Sequence, residues 1–204
     1  MAELRREDPP RVVSVLSSVL RRVMELNDLA IHGRLAAPHP RASAFHVPRV
    51  PGISVQSYLE RIFRHADCSP TCYVVAYVYL ERFAQRHPPV FINSLNVHLL
   101  LLTSILTAVK FMERIHYDNA YFARVGGITL MEMNNLEVNF LFGVGFELNV
   151  TPTVFYSYCS RLREEMYLLE SPPAPPRSPS CLTEEESDSG SWLFERRSST
   201  YIDE

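Results

Sequence analysis

The sequence predicts an all-α protein, on three observations. Apolar residues recur at three- and four-residue intervals across 11–29 and again, almost without break, across 54–166. The breaks carry helix start and stop signals, with serine, threonine or aspartate before a run and glycine or proline after it. No stretch reads as a strand. At 204 residues, 47% hydrophobic and 21% charged, the chain has room for one domain of ordinary size with tails, and enough apolar side chains to bury a core.

Pro9 and Pro10 open the first helix, in which Val12, Val15, Leu16, Val19, Leu20, Val23, Leu26 and Leu29 line one face while Arg21 and Arg22 lie on the wet side. Proline-rich sequence without periodicity follows between Gly33 and Gly52. It reads as a wrapping loop, long enough to carry the first helix across a surface. Ser54 caps a second helix over 54–65 that presents Val55, Tyr58, Leu59, Ile62 and Phe63. Ser69-Pro70 starts a third over 71–86, which His87-Pro88-Pro89 stops.

The fourth helix, over 94–113, contains Leu99, Leu100, Leu101 and Leu102 in succession and is apolar on nearly every side. Such a helix belongs at the centre of a bundle. Asp118-Asn119 caps a short fifth over 120–125, ended by Gly126-Gly127 as a left-handed C-cap; the pair lacks the third glycine and preceding strand of a dinucleotide loop. Thr129 caps the sixth, which runs to Phe142 with Leu130, Met133, Leu136, Phe140 and Leu141 on its inner side, before Gly143 and Gly145 break it. Thr151-Pro152 opens the last, ending near Met166.

Past Glu170 the chain turns to serine, proline and acid and cannot offset the entropy of ordering. Its Trp192-Leu193-Phe194 trio is read as unstructured. The expected organisation is therefore a disordered 1–8, an N-terminal helix over 9–30, a wrapping loop over 31–53, a helical body over 54–168 and a disordered acidic Ser/Pro tail over 169–204.

Charge narrows the function. Residues 1–170 carry 17 basic and 16 acidic side chains, a net +1, and residues 171–204 carry 3 and 7, a net −4. A near-neutral body lacks the basic excess of a protein held on phosphate backbones, so nucleic acid is not expected as a partner. The N-terminus Met-Ala-Glu-Leu-Arg-Arg-Glu-Asp has no apolar signal region, which favours a reducing compartment, nuclear or cytoplasmic, without disulfides among Cys68, Cys72, Cys159 and Cys181. The most apolar window, 97–109, is interrupted by His98, Thr103, Ser104 and Thr107 and is shorter than the ~20 residues that span a bilayer, so no membrane segment is expected.

Catalytic chemistry finds no foothold. Lys110 is the single lysine, and no glycine precedes it to cradle phosphates. The kinase motifs are missing. His65, Cys68 and Cys72 have a spacing unlike that of a zinc finger and no fourth ligand nearby, and the two cysteines are expected as core; no metal or cofactor is assigned. Ser-His-Asp and Cys-His signatures do not occur. A packed helical body without a reactive centre acts by contact.

Three runs indicate what it touches. Tyr79-Leu80-Glu81-Arg82-Phe83 resembles the cyclin-box run Tyr-Ile-Asp-Arg-Phe, Ala108-Val109-Lys110-Phe111-Met112-Glu113 resembles Ala-Ser-Lys-Phe-Glu-Glu, and Leu136-Glu137-Val138 lies where cyclins carry Met-Glu-His. Asn119-x-x-Phe122-Ala123-Arg124-Val125-Gly126-Gly127-Ile128 with Asn134-Asn135-Leu136-Glu137 is close to the Pho80-like branch and most similar to plant P-type (U-type) cyclins. The resemblance implies a single five-helix cyclin box with an extra N-terminal and an extra C-terminal helix. It also implies a noncatalytic subunit that forms a heterodimer with a cyclin-dependent serine/threonine kinase, with an A-type-like kinase as candidate, in cell-cycle or nutrient-linked control of division.

The same resemblance implies that Lys110 and Glu137 are the charged pair that grips the kinase, both projecting outward through one apolar patch, and that Phe111, Leu141, Phe146 and Leu148 pack against it. Read without the family, Lys110 is a cation favoured by a helix C-terminus and Glu137 a solvated face residue. The box opens on Ser-Val-Gln-Ser-Tyr-Leu-Glu-Arg-Ile-Phe, not on the Met-Arg-Ala-Ile-Leu docking run of cell-cycle cyclins, and a second repeat is missing. Ser171-Pro172 and Ser178-Pro179 are candidate phosphorylation sites. The rival readings are a cyclin-fold transcription protein and a scaffold that binds a kinase without activating it.

Overall fold

The structure, a computed structural model, describes residues 9–32, 43–87, 92–114 and 117–170. Seven helices organise them, and among the described residues there is no strand. They are α1 (Arg11–His32), α2 (Val55–Ala66), α3 (Pro70–Arg86), α4 (Val97–Met112), α5 (Asn119–Gly126), α6 (Leu130–Gly143) and α7 (Pro152–Glu170). The expected disordered 1–8, the tail with Ser171, Ser178 and its Trp192-Leu193-Phe194 trio, and Cys181 lie outside the described residues.

The centre is α4, which packs against α2, α3, α5 and α6. Every side chain from Leu100 to Val109 is buried. Its hydroxyls survive there by folding back on their own helix: Thr103 donates to the Leu99 carbonyl at 2.7 Å, Ser104 to Leu101 at 2.9 Å and Thr107 to Thr103 at 2.8 Å. The helix starts three residues later than the pattern suggests. The Asn96 side chain accepts from the Asn93 N–H and the Asn93 side chain from the Leu95 N–H, which makes 93–96 a turn.

The glycine stops act as expected, with one adjustment. Gly127 takes φ 75 at the C-cap of α5, where its N–H reaches back to Arg124. Gly143 lies inside α6, not after it, and the position requires glycine because the Phe83 ring occupies the space a Cβ would need. On α6 Leu130, expected inward, is exposed, since it sits at the first helical position beyond the reach of the core.

Helix α1 covers α2, α3 and α7, burying Val13, Leu16 and Leu20 completely. Leu29, expected on that face, is exposed near the end of the helix. Here the helix is held by polar links: Asn27 donates to the Ile92 carbonyl and Asp28 accepts from the Ser94 N–H. The described part of the wrapping loop does more than connect. It drives Phe45 into the core, edge-on to Phe83 at 5.2 Å and to Phe140 at 6.1 Å.

Helix α7 runs four residues beyond its expected end, tied to its neighbours by charge. Glu81 of α3 is fully buried, accepts from Tyr158 OH at 2.6 Å and lies 3.6 Å from the Arg161 guanidinium, which stacks 4.1 Å above the Tyr158 ring. Arg22 of α1 pairs with Glu165 at 3.0 Å. Cys68, Cys72 and Cys159 are free thiols, the first two in the core. Among the described residues no group of His, Cys, Asp and Glu is arranged to hold a metal, and no helix is long and apolar enough to cross a membrane.

His98 is buried at the start of α4, where Nε2 donates to the Ile53 carbonyl at 2.9 Å and Nδ1 has no partner. A proton on Nδ1 would be buried with nothing to receive it, so desolvation lowers the pKa from the ordinary 6.5. The unfolded chain then binds the proton more readily than the folded one. Stability is full above pH ~6.5 and falls as pH drops below it. In urea unfolding at pH 7.5 and 5.5, His98→Gln, whose amide can still donate to Ile53, is expected to lose less stability on acidification than the wild type. Glu81→Ala strands Tyr158 OH and Arg161 at the α3–α7 contact and is expected to cost about 3–5 kcal/mol in the same assay.

Candidate functional site

The last turn of α4 leaves the core at Lys110, whose ammonium there complements the helix dipole. Opposite it stands α6, whose register is set by a capping box: Thr129 Oγ1 accepts from the Glu132 N–H at 3.2 Å, and Glu132 accepts from the Thr129 N–H at 2.8 Å. Hydrogen bonds from the Thr129 N–H and from its hydroxyl hold the Glu132 carboxyl below its usual range. Two turns into α6, Glu137 faces α4, and its Oε1 receives Lys110 Nζ at 2.6 Å.

The pair does share one surface patch, but the two groups are not free of their own molecule. The side chains of Lys110 and Glu137 are 31% and 17% exposed and are bonded to one another. The second carboxylate oxygen of Glu137 accepts from Asn119 Nδ2, also at 2.6 Å. Asn119 stands at the first position of α5, where the Asp118 cap accepts from the Tyr121 N–H at 2.8 Å. The expectation that both charges project outward through the patch is corrected on this point: they are turned to one another and to Asn119. Their mutual attraction in a half-buried setting, worth roughly 1 kcal/mol, closes the pair in the isolated chain. Lys110 retains donors and the carboxylate retains lone pairs beyond those bonds.

The same two helices and the loop after α6 expose apolar side chains. Phe111 is 50% exposed, Phe142 69% and Phe146 58%, with Met112 and Val138 also exposed on the same two helices. Met112, Val138 and Phe142 were not among the expected contact residues. Their signal is present in hindsight: Val138 and Phe142 are four apart, off the inward Met133, Leu136, Phe140 face. Leu141 is half-buried. Leu148 is also half-buried, packed against the core.

Phe146 is presented by a strained loop. Its φ is 57, the left-handed region that a bulky residue rarely adopts, and its ring lies edge-on to Phe142 at 5.1 Å. One face of α3 holds the loop in place. Tyr79 OH donates to the Leu148 carbonyl at 2.6 Å, Arg82 to the Glu147 carbonyl at 2.5 Å, and Arg86 pairs with the Glu147 carboxylate at 2.8 Å, which keeps that carboxyl below its usual range. The Tyr79-to-Phe83 run thus has three duties: Tyr79 and Arg82 hold the loop, Glu81 holds α7, and Leu80 and Phe83 fill the core.

The arrangement offers a surface for contact: an internally neutralised ion pair at the rim of two helices that also expose aromatic and aliphatic side chains. The open depression beside it is lined by Lys110, Asp118, Asn119, Ala120 and Leu130.

Comparison with known proteins agrees with that description. The family model for cyclins matches residues 10–148. The chain is 60% identical over 169 residues to Cyclin-P4-1 of Oryza sativa subsp. japonica, covering 82% of this chain and 80% of the relative. It is 55% identical over 173 residues to Cyclin-U4-1 of Arabidopsis thaliana, covering 83% and 84%, and 40% identical over 159 residues to Cyclin-U1-1 of the same plant, covering 78% and 75%. As a family, cyclins are noncatalytic regulators of cyclin-dependent kinases. With α2 to α6 as its five-helix box and α1 and α7 as additions, this chain belongs to the cyclin family and is similar to its plant P- and U-type members.

Proposed function

We propose that the chain is a regulatory subunit that binds a cyclin-dependent serine/threonine kinase as a heterodimer, with an A-type-like kinase as candidate, and pushes the kinase's mobile helix into its active arrangement. The control of division, by cell-cycle or nutrient input, in nucleus or cytoplasm, is the setting this reading implies. The observation that carries it is the Lys110–Glu137 pair, 2.6 Å apart and part-exposed, on α4 and α6, which with the loop after α6 also expose Phe111, Phe142 and Phe146.

The physical logic is one of affinity and register. A stable heterodimer buries about 1,600 Å² in total, and exposed aromatic rings supply the apolar part of that area. Apolar contact alone tolerates sliding. A lysine donor and a glutamate acceptor, each needing a backbone partner on the kinase, penalise every register but one. Because the pair is neutral as a unit, the patch approaches a partner without carrying an uncompensated charge into the interface.

A scaffold that binds without activating uses the same surface and differs only in a phosphate-transfer assay on a histone-type substrate. A DNA-holding protein of the same fold would show a salt-dependent gel shift.

Lys110→Ala and Glu137→Ala are each expected to weaken kinase binding by about 2–5 kcal/mol, measured by calorimetry, with unchanged helical circular dichroism. Co-purification of both variants at wild-type levels refutes the reading. Phe146→Gly is expected to stabilise the isolated chain by up to about 1 kcal/mol, by relieving the left-handed backbone, while weakening the kinase complex. A variant less stable in urea and equally tight on the kinase would make Phe146 a structural residue.

A further inference from the structure

The amide of Asn119 links two helices in a way that folding alone does not explain. Nδ2 donates to Glu137 Oε2 at 2.6 Å and to Asn134 Oδ1 at 2.8 Å, both on α6 and three residues apart. Asn119 Oδ1 is left buried with no hydrogen-bond partner. An unpaired buried carbonyl is a cost that the fold carries. The amide is therefore turned by the needs of the two α6 acceptors, at the expense of its own oxygen.

Consider what Glu137 would do without it. Lys110 holds Oε1 alone, and a carboxylate held at one oxygen pivots about that contact. Asn119 clamps the other oxygen from the opposite helix, and Asn134 fixes the second hydrogen of the amide. The carboxylate is then held in one plane from α4 on one side and α5 on the other, beside the depression lined by Lys110, Asp118, Asn119, Ala120 and Leu130.

We propose that Asn119, backed by Asn134, is a positioning residue for kinase recognition, holding the Glu137 carboxylate in the orientation that meets the kinase backbone. The inference rests on the kinase-binding reading above and deepens it. Preorganisation is its physical content: a carboxylate already fixed loses less freedom on association than one that must be ordered.

Asn119→Asp is the sharp variant. It is isosteric, and its carboxylate is favoured at the first turn of α5 by the helix dipole, which offsets part of the repulsion that the new charge meets at Glu137. The substitution replaces the clamp with a like charge facing Glu137. The full-length chain and an A-type cyclin-dependent kinase are titrated by calorimetry, with thermal melts of each variant. Asn119→Asp and Asn119→Ala are expected to weaken binding at least about tenfold with melts near wild type, Asn119→Asp more than Asn119→Ala. In a Glu137→Ala background, Asn119→Ala is expected to add nothing, because a positioning residue has nothing left to position.

Three results overturn the inference: wild-type affinity for both Asn119 variants, a loss in the Glu137→Ala background as large as in the wild type, or a loss that tracks a lowered melt. The parent reading is scored separately by Lys110→Ala and Glu137→Ala. If those two bind as wild type, the kinase-docking assignment fails; if they lose binding and Asn119→Asp does not, only the clamp fails.

Discussion

The constraint on which the structure depends is that α4 is apolar on every side until its last turn. A helix of that kind is stable in water only when surrounded, so α2, α3, α5 and α6 must all lie against it. Its hydroxyls are turned back onto its own carbonyls, which removes any need for polar neighbours. The sheath ends where the burial ends. Lys110 is the first side chain of the helix after Val109 to reach solvent, and the candidate surface begins there because the core stops there.

From that constraint the rest of the surface follows. Helix α6 must lie beside α4 to bury Met133, Leu136 and Phe140, and the residues between them, Glu137 and Val138, are turned to the rim by the helical period alone. The loop after α6 would be free to wander. Tyr79, Arg82 and Arg86 prevent that by binding its backbone and Glu147 from α3, and the strain at Phe146 persists because the surrounding bonds over-determine it. The motif on α3 is thus a structural element that acts on the surface at a distance, through the loop.

Helix positions were legible because each has a chemical punctuation mark. Ser54, Asp118 and Thr129 cap as their side chains predict, and Gly127 adopts the left-handed turn that its type permits. Lys110 and Glu137 are singled out only by the resemblance, since a cation at a helix end and an acid on a helix face have ordinary explanations. What could not be read were contacts between segments distant in sequence. Phe45 sits in aperiodic, proline-rich sequence, and nothing local says that it fills the gap between Phe83 and Phe140. Nothing in the run around Glu81 says that it is the buried acceptor of Tyr158, 77 residues away. Val138 and Phe142 lie off the inner face that the periodicity assigns to this helix, and periodicity alone gives an outward apolar residue no role.

The closed state of the Lys110–Glu137 pair bears on how such a surface avoids unwanted company. An exposed ammonium among aromatic rings would attract any acidic segment, and this chain carries one in its own tail, with Glu184, Glu185, Glu186 and Asp188 in close succession. Paired internally, the lysine offers little net field at a distance, so long-range attraction is suppressed and short-range geometry decides. A partner that presents backbone donors and acceptors at the right spacing can add bonds to both members without separating them. One that presents only charge must first break the pair and the Asn119 clamp behind it. On the kinase-binding reading, such a resting state favours a shaped partner over a merely charged one.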